Sequence, residues 1–94
     1  MMTDALPASL DEARREIEAL DRRIVALIAE RVRHARRIGR LKREAGQPLL
    51  DPAREAAIIR RAADAARDEG IDPEAVRQLF WTLVGLCRRA QEQP

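Results

Sequence analysis

Ninety-four residues read as one small domain, spanning 1–94, and a chain this short buries only roughly 60–70% of its unfolded surface. Eighteen basic residues stand against 16 acidic ones, a net charge of +2 that is no polycation, and the single cysteine, Cys87, excludes an internal disulfide framework. No run approaches the ~18 apolar residues of a membrane-spanning helix, and MMTDALPASLDEAR lacks the basic start and apolar run of a signal peptide, so the expectation is a cytoplasmic protein with about 1–8 as a disordered tail.

The first predicted element is very long. Leu10, Ala13, Ile17, Leu20, Ile24, Leu27, Arg31, His34, Ile38 and Leu41 follow a 3-4-3-4 spacing, a heptad seam of more than four repeats. Ser9 or Asp11 starts the helix, and Gly46 with Pro48 ends it. A helix over 9–45 is roughly 55 Å long. A compact domain of this size is only ~25 Å across. Its own chain cannot cover such a rod, and a twin helix in a dimer is the simplest partner. The second helix opens at Asp51-Pro52, with Asp as N-cap and Pro at the first helical position. Ala57, Ile58, Ala62 and Ala66 form its small-residue face, and Gly70 closes it. The third opens the same way at Asp72-Pro73-Glu74, with Val76, Leu79, Phe80, Leu83, Val84 and Cys87 as its apolar face. No segment alternates with period two, so the predicted class is all-α, with one Phe, one Trp and no Tyr leaving an aliphatic core.

Several charges sit where packing alone does not want them. Lys42 is the one lysine among 18 basic residues, a candidate for a position that needs a compact ammonium. Arg31 lies in the apolar seam, where an unpaired guanidinium is costly. It either pairs with a charge on a partner chain or shares a small dianion with Lys42, three turns further on. Arg54 is at the helix end unfavourable for a cation, which an anion bound there would justify. Glu55 in the same first turn suits the helix dipole, and Asp51 suits capping. Arg14 lies about 25 Å before Arg31 on the same rod, out of reach of one small molecule unless a second chain brings it back. His34 reads as a structural residue of the seam. Gln91 shares a stripe of the third helix with Val84 and Cys87.

Taken together these residues resemble the all-helical, AroQ-type chorismate mutase family, from about Leu10 to Gln91. The likeness is carried by Arg14-x-x-Ile17-x-x-Leu20-Asp21, Leu27-Ile28-Ala29-Glu30-Arg31 and Ile38-Gly39-x-x-Lys42. It continues through Pro48-x-x-Asp51-x-x-Arg54-Glu55 and Leu79-Phe80 to Gln91. The resemblance implies an intertwined homodimer of three-helix chains in which Arg14 is donated to the other chain's pocket. It implies that Arg14 and Arg31 bind the carboxylates of chorismate, and that Lys42 contacts a carboxylate and the ether oxygen. By the same resemblance Gln91 would donate to that same oxygen, Asp51 and Glu55 would hold the ring hydroxyl, Arg54 would support the site, and Ile38, Ile58 and Val84 would form apolar walls. Cys87 departs from the family pattern: many members carry a serine there, and a thiol is a weaker donor.

The implied reaction, rearrangement of chorismate to prephenate, suits these residue types. A one-substrate Claisen rearrangement needs no nucleophile, metal or cofactor. The catalyst holds a flexible dianion in its compact conformer and stabilises negative charge growing on the ether oxygen. Two readings share the fold: an isochorismate-pyruvate lyase, which Glu55 disfavours, and a 4-amino-4-deoxychorismate mutase, which differs only near Asp51 and Glu55. A nucleic-acid binder using Arg33, Arg36, Arg37, Arg40 and Arg43 lacks aromatic stacking residues. A plain dimerisation module explains the heptads but not Lys42, Arg54 and Gln91.

Overall fold

Local signals fix three helices. The computed structural model describes residues 9–93; the tail predicted over 1–8 lies outside the described residues. Helix α1 spans Leu10–Glu44, α2 Pro52–Asp68 and α3 Pro73–Gln91. Of the two candidate starts for α1, Ser9 is the N-cap, its hydroxyl accepting from the Glu12 amide at 3.1 Å. Asp51 and Asp72 cap α2 and α3 in the same manner, each followed by proline in the first turn. Gly46 and Gly70 take positive φ values of 67° and 74° just beyond α1 and α2. There the Gln47 amide returns to the Lys42 carbonyl and the Ile71 amide to the Ala66 carbonyl, closing both helices in Schellman turns.

Helix α3 packs against both α1 and α2, whereas α1 and α2 make no close backbone approach to each other. The gap between them is where the site forms. The radius of gyration is 17.2 Å, far above the ~12 Å of a compact chain of this length, and the longest dimension is 56 Å. Along the first half of α1 the seam is uncovered: Leu10, Ile17, Leu20, Ile24 and Leu27 are 45–64% exposed.

The contact of α1 with α3 does not use that seam. It uses Val32 and Ala35, with Gly39 buried on the same stripe, one residue on from Arg31, His34 and Ile38. One residue is a rotation of about 100°. The seam therefore looks past α3, and a second stripe of small residues takes α3 against it. Ala35, Cys87 and Ala90 form the buried cluster there, flanked by Val32 and Leu83. The expected faces of α2 and α3 shift in the same way. Ile59 and Ala63 are buried in α2 beside Ala62 and Ala66, and Ile58 turns instead toward the gap. On α3 Leu79 is 68% exposed and leaves the core to Val84, Cys87 and Ala90.

Candidate active site

The gap between α1 and α2, backed by α3, is a cavity of about 700 Å³. From α1 it receives Arg31, Ile38 and Lys42; from α2 and its N-cap, Asp51, Arg54 and Ile58; from α3, Cys87 and Gln91. A recess of about 60 Å³ shares Arg31, Lys42 and Gln91 with it and adds Leu49, Glu55 and Val84. Every candidate site residue except Arg14 thus meets in one place. His34, read as a structural residue of the seam, is exposed and lines the cavity.

Lys42 and Gln91 form the centre of the site. Lys42 Nζ donates to the Leu49 carbonyl at 2.9 Å and to Gln91 Oε1 at 3.1 Å. An ammonium has three donors and no acceptor, so one N–H remains for a ligand. The same fact orients the amide. Only the oxygen of Gln91 can face the cation, so Nε2 is turned away, and it makes no hydrogen bond among the described residues. Lys42 lies three residues after Gly39 on the stripe that packs against α3, which is why it reaches Gln91.

The far side of the site is acidic. Asp51 Oδ1 accepts from the Arg54 amide at 3.1 Å as the cap of α2, and Oδ2 has no partner among the described residues. Glu55, one turn later, is gripped by a residue that sequence reasoning passed over. Arg88 Nε donates to Oε2 at 2.8 Å and Nη2 to Oε1 at 2.9 Å, a two-pronged pair between α3 and α2. This hydrogen-bonded guanidinium, helped by more distant Lys42, holds the Glu55 carboxyl below the ordinary carboxylate range, against the opposing effects of burial and of Asp51. Each oxygen keeps a second lone pair for a ligand. The guanidiniums of Arg31 and Arg54 make no ion pair among the described residues, which leaves two cations for an anionic ligand.

Two features hold Gln91 in place. Arg43 donates from Nη1 to the Gln91 carbonyl at 2.7 Å and from Nη2 to the Gln93 carbonyl at 3.2 Å. Arg36 Nε reaches Gln93 Oε1 at 2.9 Å. Both arginines belong to the basic row that a nucleic-acid binder would use; here they bind the C-terminal end of α3, whose free carbonyls favour cations. Gly39 makes the close approach possible. A Cβ there would stand 2.3 Å from the Gln91 carbonyl oxygen and 2.8 Å from its Cα. The sequence signal for this was the lone glycine within a helical run, three residues before Lys42. Cys87 is 4% exposed and packs in the core as it lines the cavity, so its thiol adds apolar bulk more than hydrogen bonding.

The family model for chorismate mutase type II matches residues 13–92. The chain belongs to the type II chorismate mutase family. It is 31% identical over 84 residues to a chorismate mutase of Methanocaldococcus jannaschii, covering 89% of this chain and 85% of that one. It is 39% identical over 69 residues to an intracellular chorismate mutase of Mycolicibacterium smegmatis, covering 73% of this chain and 65% of the relative. A 4-amino-4-deoxychorismate mutase of Streptomyces pristinaespiralis is 32% identical over 84 residues, covering 89% of this chain and 65% of that protein. The match to the type II family spans all three helices and so takes in every element that lines the cavity. No helix among the described residues is long and apolar enough to cross a membrane.

Proposed function

We propose that this protein is a cytoplasmic chorismate mutase that rearranges chorismate to prephenate as an intertwined homodimer. The observation that carries the reading is the Lys42–Gln91 pair at 3.1 Å inside the cavity. The pair leaves one ammonium N–H of Lys42 and the amide N–H groups of Gln91 without a partner among the described residues. That pair matches the need of the breaking C–O bond, whose oxygen gains negative charge in the transition state. Donors already fixed in a partly dry site stabilise such charge without reorganising. Arg31 and Arg54 supply cations for the substrate's carboxylates, and Ile38, Ile58 and Val84 supply apolar walls against which the compact conformer is held. Asp51 and Glu55 offer acceptors for the ring hydroxyl.

The dimer is supported by the uncovered seam on the first half of α1. Burying a Leu or Ile side chain contributes roughly 1.5–3 kcal/mol, so a second copy on this face would add a large share of the stability. Arg14 lies on that half, about 25 Å along the rod from Arg31. An antiparallel partner would bring its own Arg14 to this cavity and complete the set of cations.

The test is to incubate the protein with chorismate and follow the loss of its absorbance, identifying the product by chromatography. Prephenate is expected. Release of pyruvate would make the chain a lyase, and unchanged chorismate would sink the proposal.

A further inference from the structure

Rearrangement of chorismate does not by itself call for the two-pronged grip of Arg88 on Glu55. Asp51 and Glu55 stand one turn apart at the start of α2, both beside the recess. Two neighbouring carboxylates with nothing to offset them form a good seat for an ammonium group. Arg88 changes that balance. Its guanidinium meets both Glu55 oxygens, at 2.8 and 2.9 Å, and cancels the local charge. Asp51 has one oxygen already accepting the Arg54 amide. Lys42 from α1 and Arg54 from α2 add further positive potential along the same recess. What remains for a ligand is a set of lone pairs and one unpaired carboxylate, Asp51, set among the cations of Arg88, Lys42 and Arg54. A neutral hydroxyl gains a hydrogen bond from such a subsite. An ammonium finds acceptors too, but has only the Asp51 carboxylate to set against Arg88, Lys42 and Arg54.

Building on the mutase reading above, we propose that Arg88 is a specificity-determining residue. It biases the subsite at Asp51 and Glu55 toward a ring hydroxyl and against a ring ammonium, and so toward chorismate over 4-amino-4-deoxychorismate. Arg88 acts through Glu55, as a positioning residue on the α3 face adjoining Gln91. Its replacement by an uncharged side chain leaves a second unpaired carboxylate in the recess.

The experiment measures kcat/KM for chorismate and for 4-amino-4-deoxychorismate with wild type, Arg88→Met and Arg88→Lys. The ratio of the two values is independent of how much of a variant is folded, so partial unfolding does not blur it. Wild type is expected to favour chorismate. Arg88→Met should shift the ratio toward the amino compound by about tenfold or more, the scale of one unit charge a few ångströms away in a half-wet site. Arg88→Lys keeps the charge and should retain most of the preference. A ratio unchanged within about twofold in Arg88→Met, with both activities falling together, would make Arg88 a structural tie between helices and overturn the proposal. A wild type that favours the amino compound would also overturn it. Failure of wild type on both compounds is a different result, which refutes the mutase reading and this inference with it.

Discussion

Gly39→Ala tests whether the position of Gln91, rather than its mere presence, sets activity. The added Cβ falls 2.3 Å from the Gln91 carbonyl oxygen and 2.9 Å from its carbonyl carbon. These are backbone atoms, which cannot swing aside as a side-chain tip can. Ordinary van der Waals contact begins near 3.4 Å, so the end of α3 must retreat by about 1 Å. Overpacking of this kind costs about 1–3 kcal/mol, and the gain in helix propensity from glycine to alanine returns up to about 1 kcal/mol. The net loss of stability therefore lies between about zero and 3 kcal/mol, a fall in Tm of at most ~12–24 °C. Activity should suffer more. A retreat of that size stretches the 3.1 Å Lys42–Gln91 hydrogen bond beyond bonding distance and disturbs the Arg43 contact at 2.7 Å, and a misplacement of ~1 Å can cost on the order of 100-fold. Gly85→Ala is the control. Its Cβ meets only Arg89 Nη1, at 3.6 Å, so it should raise Tm by a few degrees through propensity alone, about 0.5–1 kcal/mol, and leave turnover unchanged. Chorismate turnover and thermal melting at one fixed protein concentration decide the matter. Wild-type kcat/KM in folded Gly39→Ala would show that the reasoning about Gln91 is wrong.

Gln91→Glu should lose most activity near neutral pH and recover part of it as pH falls toward the carboxyl range, because a carboxylate cannot donate to a developing oxyanion; a flat profile of kcat/KM from about pH 4.5 to 8 would refute this. Arg14→Ala and Lys42→Ala should each be nearly inactive, yet a mixture unfolded and refolded together should regain one working site per heterodimer; mixtures as inactive as their parents would refute a shared site. Sedimentation should show a dimer at micromolar concentration, and a folded monomer there would remove the need for a partner on the α1 seam. The Glu55 carboxyl is held below its ordinary value of 4.5, so its pairing stabilises the fold fully above that pH and is lost as pH falls through the lowered value. The stability gap between wild type and Arg88→Met in urea unfolding should accordingly be constant from pH 7 to about 5 and close below 4.5; a gap that widens in acid would reverse the sign of the argument.

Three helices and their ends were legible in the sequence because caps are local. Ser9, Asp51-Pro52, Asp72-Pro73, Gly46 and Gly70 act on amides and carbonyls within a few residues of themselves, and each sits at the boundary it announced. The length of α1 was legible too, since rise per residue needs no tertiary information. The residues now lining the cavity stood out because their charge conflicted with their place on a helix, as with Arg31 and Arg54. The partner of each helix face was not legible. A heptad seam says that a face is apolar without saying what covers it, and the face that takes α3 is the weaker stripe of Val32, Ala35 and Gly39. Arg88 and Glu55 are 33 residues apart on different helices, and nothing local marks either as the other's partner. The Leu49 carbonyl that helps fix Lys42 is a backbone group and leaves no mark in the side-chain pattern. Local chemistry decided where each helix begins and ends. Only packing decided which arginines would stay without an ion pair among the described residues and which would be spent on carboxylates and carbonyls of the protein itself, because that depends on distances between segments that the order of residues does not contain.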